Sequence, residues 1–379
     1  MSMTRILSIL LIYFVPLLAH AGVDDFNDGN LVTAVTKSLI SSTAQIEESH
    51  TFFGLASFYN NTNYYVVSSD GLHKISEGDS VELKSSQWLA VVARFNVGLI
   101  HAVGNSVHLD TSKLIIDKPA TLSGLNSFTS VVNKSELPSI APELDQIRYA
   151  HLWWPLAWLA KVVESLLVSI QSNIVSNWGF TIVIFSILLK FILLPVGIMT
   201  VRFQRRVSQV QAQLAPKLSE IKANYDGEEA HNYLIAAHKD LGVSPFYTLK
   251  PVLGSFIQIP ILIVVFNVLG EMPQFVGQPF LWIGNLAYPD IIGPLPFIIP
   301  MLGDTVNPLP FIMTVITLYS TIIFQNRYAP KAEMRRQKRN LYYMATVFFV
   351  LFYPFPAVMV LYWAVTNFLH IIQQQFIKI

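Results

Sequence analysis

Seventy-five consecutive residues, 251–325, contain neither lysine nor arginine. They are flanked by two strongly basic segments. Arg202, Arg205, Arg206, Lys217, Lys222, Lys239 and Lys250 lie before them, and Arg327, Lys331, Arg335, Arg336, Lys338 and Arg339 after. Two apolar runs without any charge, 251–270 and 308–325, border the cation-free stretch. Such segregation is what a membrane imposes, because basic loops stay on the cytoplasmic side. Composition agrees: 53% of residues are hydrophobic and only 13% charged, whereas soluble domains carry about a quarter charged residues. A formal net charge of +1 gives no global attraction to nucleic acid. The absence of cysteine excludes a disulfide framework, thiolate metal sites and an acylated cysteine.

The apolar runs define five spans, at about 177–199, 251–270, 308–325, 341–353 and 357–377. The last two are separated by Pro354-Phe355-Pro356, since proline removes a backbone donor and breaks a helix. The run at 341–353 is short, so its helix is expected to extend into the polar residues before it. With the basic loops in the cytoplasm, the 271–307 loop lies outside and the C-terminus inside.

Residues 1–21 carry a basic start at Arg5, a short apolar stretch and an Ala19-His20-Ala21 end. That is the pattern of a signal peptide cleaved after Ala21, the rival reading being an uncleaved anchor, and an exported signal peptide delivers the following domain to the same outer side. Residues 22–148 hold 14 acidic and 8 basic residues and no long apolar run. β-Branched and aromatic stretches at 62–68, 80–83 and 87–95, broken by turns such as Asp70-Gly71, predict a small, mostly β domain. The Ser/Pro/Asn-rich stretch 119–144 reads as loops and linker. Residues 149–176 predict an amphipathic helix at the membrane interface. Trp153, Trp154 and Trp158 mark its start, and Lys161 and Glu164 lie on a polar face opposite Leu159, Val162, Val163, Leu166, Leu167 and Ile170.

The segment 200–247 predicts a helical hairpin, with Phe203, Val207, Val210, Leu214, Leu218 and Ile221 at helical spacing, a turn at Asp226-Gly227 and a second helix ending at Gly242. No nucleotide loop, metal cluster or nucleophile triad is visible. One residue stands out. Lys190 is the fourteenth residue of the 177–199 span, and an intramembrane lysine costs roughly 2.5–3.5 kcal/mol on insertion scales. Apolar Phe191 to Leu194 continue below it, so a water-filled cavity fits it better than snorkelling to the interface. Ser186 is one turn away on the same face. Gln258, Asn267, Thr366 and Asn367 add polarity in other spans, where helix-packing hydrogen bonds are the ordinary expectation.

Several motifs, in order, resemble the YidC/Oxa membrane protein insertases. They are Asn177-Trp178-Gly179-Phe180, Pro195, the hairpin, Val243-Ser244-Pro245, Gln258-Ile259-Pro260-Ile261, Pro279-Phe280-Leu281-Trp282-Ile283, Phe352 to Pro356, and Val360-Leu361-Tyr362-Trp363-Ala364-Val365-Thr366-Asn367. The resemblance covers about 148–379. It implies an α-helical polytopic membrane protein: a five-span core with a cytosolic helical hairpin and a small mostly-β periplasmic domain. In that family the spans enclose a hydrophilic groove open to the cytoplasm and the lipid. Its basic residue, usually arginine, corresponds to Lys190; its polar residues to Ser186, Gln258 and Thr366; its aromatic pair to Tyr362-Trp363. Lysine keeps the charge but lacks arginine's planar fork of donors.

The resemblance further implies an insertase or chaperone of the bacterial inner membrane with no cofactor and no covalent chemistry. Its partners would be nascent membrane proteins, the lipid bilayer, the Sec translocon and ribosomes, and not nucleic acid. Two other readings compete: a specialised paralogue that tethers or chaperones, and a small-molecule or anion transporter using Lys190. The inverted repeats and paired broken helices expected of a transporter are not seen in the sequence.

Overall fold

The computed structural model describes residues 63–75, 80–84, 86–101, 107–110, 115–117, 129–240, 242, 250–299, 302–323 and 331–376. The expected signal peptide at 1–21 and the start of the β domain lie outside the described residues. The chain forms two compact units. One comprises Met1–Ser172, Val264–Asn307 and Tyr353–Met359; the other comprises Asn173–Ile263, Pro308–Phe352 and Val360–Ile379.

The first unit is built on an antiparallel five-stranded sheet in the order β2-β1-β4-β5-β8. Its strands are β1 (Asn63–Ser68), β2 (Gly71–Ile75), β4 (Trp88–Val92), β5 (Asn96–His101) and β8 (Thr129–Asn133). Strands β3 (Ser80–Leu83), β6 (Val107–Asp110) and β7 (Ile115–Asp117) form a second, three-stranded sheet. Two residues join β1 to β2, and Gly71, at φ +141, supplies a backbone state that side chains disfavour. Alternation then sorts the side chains. Tyr65 and Val67 pair with Ala90 and Trp88, and Ala90 and Val92 with Leu99 and Val97, placing all of them on one buried face.

That face is closed in part by residues the sequence assigned to loops and linker, Leu137 and Leu144. After β8 the chain makes helical turns at Lys134–Glu136, α1 (Leu137–Ile140) and Pro142–Ile147, and Leu137, Leu144 and Ile147 are buried against the sheet. The part of 119–144 that is described therefore belongs to the core. Its polar composition hid a few leucines and isoleucines, each contributing about 1.5–3 kcal/mol when buried.

Helix α2 (Trp154–Asn173) corrects a second expectation. Its buried face is Ala160, Val163, Glu164, Leu167 and Ile170, so Glu164 sits among the apolar residues rather than opposite them. The reason is tertiary: Glu164 Oε2 accepts from Arg148 Nη2 at 2.6 Å and from the Tyr149 hydroxyl at 2.8 Å. Burial pushes the Arg148 guanidinium down, but Glu164 and Asp145 more than offset it and hold it above its ordinary value. Lys161 pairs with Asp145 at 2.6 Å. Trp154 and Trp158, 74% and 65% exposed, and Val162 form the outward face.

The C-terminal end of α6 (Lys250–Glu271) is bound by Arg94, Lys134 and His151 of the first unit. Arg94 Nε donates to the Gly270 carbonyl at 2.7 Å, with its guanidinium over the Phe95 and Tyr288 rings. Lys134 Nζ meets Glu271 at 2.8 Å and His151 meets it at 3.2 Å, while His151 also bonds Asn267 at 2.8 Å. A carboxylate at a helix C-terminus opposes the helix dipole, and these partners reverse the penalty. Burial raises the Glu271 carboxyl, yet Lys134, His151 and Arg94 together hold it below its ordinary value. Gly270 is also closely packed: a Cβ there would come within 2.6 Å of the Met359 side-chain tip, which would have to move.

The second unit is helical. Asn177 caps α3 (Trp178–Ile192), its side chain accepting from the backbone N–H groups of Gly179 and Phe180. The expected continuous span 177–199 is broken: α3 ends at Ile192, α4 (Leu194–Asn224) begins two residues on, and the two are bent by 52°. Pro195 explains the break, since its ring clashes with the carbonyl four residues back and it donates no hydrogen bond. Helix α5 (Gly227–Asp240) packs on α4 through Ala237 against Val207 and Leu214. The remaining helices are α7 (Pro308–Ile323), α8 (Lys331–Phe352) and α9 (Ala357–Phe376). Helix α8 begins ten residues upstream of the apolar stretch at 341. Among the described residues no single helix is long and apolar enough to cross a membrane by itself, while α3 and α4 pass that test together.

Candidate functional site: a lysine facing a polar helix stripe

Helix α9 touches three neighbours in the second unit, each with a different side. Tyr362 approaches Phe185 of α3 at 6.3 Å between ring centroids. Trp363 packs against Phe348 and Phe352 of α8, both at 5.3 Å. Asn367 Nδ2 donates to Thr317 Oγ1 of α7 at 2.9 Å, a helix-packing hydrogen bond. Tyr362 and Trp363 thus do not act as a pair lining one surface. Adjacent residues on a helix are 100° apart, so they serve different interfaces.

Two contacts of α9 with α3 and one with the start of α4 descend in register. Phe185 meets Tyr362, Lys190 lies within electrostatic reach of His370, and a Cβ on Gly197 would meet Gln373 Nε2 at 3.1 Å. Both helices are numbered upward along this series, so α3 and α9 run parallel. The α9 stripe is Tyr362, Thr366, His370 and Gln373, at i, i+4, i+8 and i+11. Tyr362 is buried, Thr366 lies beside its hydroxyl, and Gln373 hydrogen-bonds His370. On α3, Ser186 is buried and its hydroxyl donates to the Ile182 carbonyl at 2.7 Å. Lys190 follows one turn later, partly exposed, and among the described residues no carboxylate forms an ion pair with it.

The sequence-derived residues therefore divide. Lys190, Ser186, Tyr362 and Thr366 fall where α3 and α9 meet. Trp363 turns towards α8. Gln258 is exposed on α6, and no hydrogen bond joins it to Lys190 or Ser186 among the described residues. Asn267 serves His151 rather than a neighbouring span. Sequence reasoning placed neither His370 nor Gln373 in the site. Their spacing from Thr366, four and seven residues, was the available signal. Below the bend, Arg202, Arg205 and Arg206 with Ile198, Met199 and Phe203 line a cavity of about 760 Å³.

The chemistry of this arrangement follows from its residue types. It offers a cation and neutral hydrogen-bonding groups inside an apolar helical setting, which suits transient attraction of polar or acidic groups. Comparison with known proteins finds relatives over much of the chain. The chain is 26% identical over 342 residues to the membrane protein insertase YidC of Janthinobacterium sp. (strain Marseille), covering 86% of this chain and 57% of that protein. It is 31% identical over 248 residues to the YidC of Methylobacillus flagellatus, covering 65% and 40%. The chain thus spans about half the length of these curated relatives. A crystal structure of an active YidC insertase with its first transmembrane domain resolved matches at 17% identity and a TM-score of 0.41, covering 84% of this chain and 71% of that one. The family model of the 60Kd inner membrane protein matches residues 170–379, more than half of the sequence, and the chain belongs to that family.

Proposed function

We propose that this chain is a membrane protein insertase and chaperone of the bacterial inner membrane. The observation that carries the reading is Lys190: a cation in an apolar helix, facing a polar stripe of α9 and not neutralised by any carboxylate among the described residues. A charge kept in so costly a place suits a passing partner. The hydrophobic segment of a nascent protein would move along the apolar helices while its short polar flank enters the hydrated space beside Lys190. That space shortens the dry distance the flank must cross, and Lys190 attracts acidic residues within it. The hairpin of α4 and α5 is a first receptor for the substrate on the cytoplasmic side, where ribosomes and the Sec translocon would be met. The first unit, following a signal peptide that ends at Ala21, faces the periplasm.

The parallel course of α3 and α9 supports an odd number of crossings between them, the three that a five-span topology requires. The test is complementation: the chain, expressed in a bacterium depleted of its own insertase, restores growth and the insertion of a reporter membrane protein. Failure to do so while the chain accumulates in the membrane would sink the reading. Topology is tested separately, with single cysteines in a chain that has none. Those at Ser69 and Asp304 react with an impermeant maleimide from outside, and those at Asp226 and Gln337 do not.

A further inference from the structure

The loop between α6 and α7 contains a two-stranded ribbon of unusual character. Strand β9 (Gly293–Ile299) pairs antiparallel with β10 (Gly303–Val306), Gly303 opposite Ile299 and Val306 opposite Gly293. Neighbouring strand residues point to opposite faces, yet Phe297 and Ile298 are 61% and 60% exposed. Ile291 and Ile292, just before the strand, are 54% and 61% exposed. Both faces of the ribbon are thus greasy and uncovered.

The ribbon is not loose at its base. The Tyr353 hydroxyl donates to the Thr305 carbonyl at 2.6 Å, Asn307 N–H donates to that hydroxyl at 3.3 Å, and Asn307 Nδ2 donates to the Tyr353 carbonyl at 2.8 Å. Ile292 N–H closes the base on the Val306 carbonyl at 3.0 Å. An anchored ribbon cannot fold its apolar side chains away. From 291 to 306 the only charge is Asp304, and an exposed, uncharged, apolar strand edge in water is an aggregation hazard.

We propose that the β9–β10 ribbon is a membrane-interface wedge, with Ile291, Ile292, Phe297 and Ile298 entering the outer leaflet of the lipid bilayer. The inference rests on the topology proposed above. Chain continuity supports the occupant: one residue after β10 the chain enters α7, an apolar helix of a protein in an inner-membrane family. Depth follows from the backbone. Open strand edges are not tolerated in the hydrocarbon core, so the ribbon lies at the headgroup–acyl boundary, roughly 5–10 Å in. Pro294 and Pro296 remove two backbone donors that would otherwise need partners there. Because the ribbon has no cation, its association is hydrophobic and independent of lipid charge.

The test uses the full chain, which has no cysteine, reconstituted into vesicles of phosphatidylcholine with and without phosphatidylglycerol. Ile298→Cys, Phe297→Cys and Asp304→Cys are each labelled with an environment-sensitive fluorophore. At 297 and 298 the emission is blue-shifted, and nitroxide-bearing lipids quench it at least threefold more than aqueous iodide. At 304 iodide is the better quencher, and both lipid mixtures give the same result. Iodide quenching at 297 and 298 equal to that at 304 would overturn the wedge. So would shielding that appears only in native membranes together with photocrosslinks to another protein, since the surface would then belong to that partner. Impermeant maleimide on Asp304→Cys in intact cells separates the two ideas. Labelling from outside with water-exposed 297 and 298 sinks the wedge alone, and labelling only after the membrane is opened sinks the topology and the wedge together.

Discussion

The two units treat charge in opposite ways. In the first, ion pairs are knit together: Lys134 and His151 with Glu271, Arg148 with Glu164 and Asp145, Lys161 with Asp145. In the second, Lys190 has no carboxylate partner among the described residues, although a helix interior is where neutralisation would help most. The four Lys and Arg pairs named above, and the His151–Glu271 contact, all lie in the first unit. The difference separates two uses of a charge. Paired charges fix a structure; a solitary one in a greasy setting is, in the function proposed above, held for an arriving substrate.

The contrast breaks first at Glu271. Lys134 is buried, so Glu271→Gln leaves a cation without its counter-charge and lowers stability by about 2–3 kcal/mol at neutral pH, less than a fully enclosed pair because both groups see some water. The pH dependence has a definite sign. The folded carboxyl titrates below the ordinary 4.5, so its stabilisation is complete above that value and fades as pH falls through the lower, folded one. Thermal unfolding of both proteins from pH 7 to pH 3 checks this: the gap between them narrows on acidification. A constant gap would show that Glu271 acts through packing rather than charge.

Lys190 comes second and behaves the other way. Lys190→Ala leaves thermal stability unchanged or slightly raised, because a costly charge is gone, while insertion of reporters with acidic translocated flanks falls about tenfold, equivalent to roughly 1.4 kcal/mol. Neutral reporters are affected less. Lys190→Arg stays within about twofold of wild type, as charge is kept and donors are added. If acidic and neutral reporters insert equally well into membranes containing wild type or Lys190→Ala, the charge has no electrostatic role in substrate handling.

Two smaller changes sharpen the comparison by asking whether neutral polar groups are paired in both units. Tyr353→Phe removes one donated and one accepted hydrogen bond at the base of the ribbon in the first unit, and unfolding shifts by about 1–2 kcal/mol. Asn367→Ala removes the Thr317 bond between α9 and α7 in the second, where such bonds average about 0.6 kcal/mol. A loss well above that at Asn367, measured by the same unfolding assay, would mean the helical unit depends on polar pairing as heavily as the other does.

How much of this was legible beforehand depends on the range of the interaction responsible. Helices at 250–271, 308–323 and 357–376 follow from apolar runs and prolines, which act over a few residues. The break at Leu193 was signalled by Pro195, yet the continuous apolar run outweighed it in the reading of the span. The strands at 63–68, 80–83 and 88–92 announced themselves by β-branched and aromatic runs, whereas β5 and β8 needed their neighbours to become visible. In the candidate site, Lys190 and Ser186 were apparent because polar groups are rare in an apolar helix. His370 was not, since its relevance comes from α3, 180 residues away along the chain.

The sequence by itself determined which segments are apolar, where the cations are excluded, and that one lysine sits where it is expensive, because composition and short-range periodicity carry those facts without reference to any neighbour. Only the tertiary structure decided that Glu164 faces inward, that Leu137 and Leu144 close a core rather than mark a linker, that Tyr362 and Trp363 serve different helices, and that Arg94, Lys134 and His151 converge on the end of α6. Each of these depends on a partner that is remote in the chain. A helix face or a charge acquires its direction only when the group that satisfies it has been brought alongside.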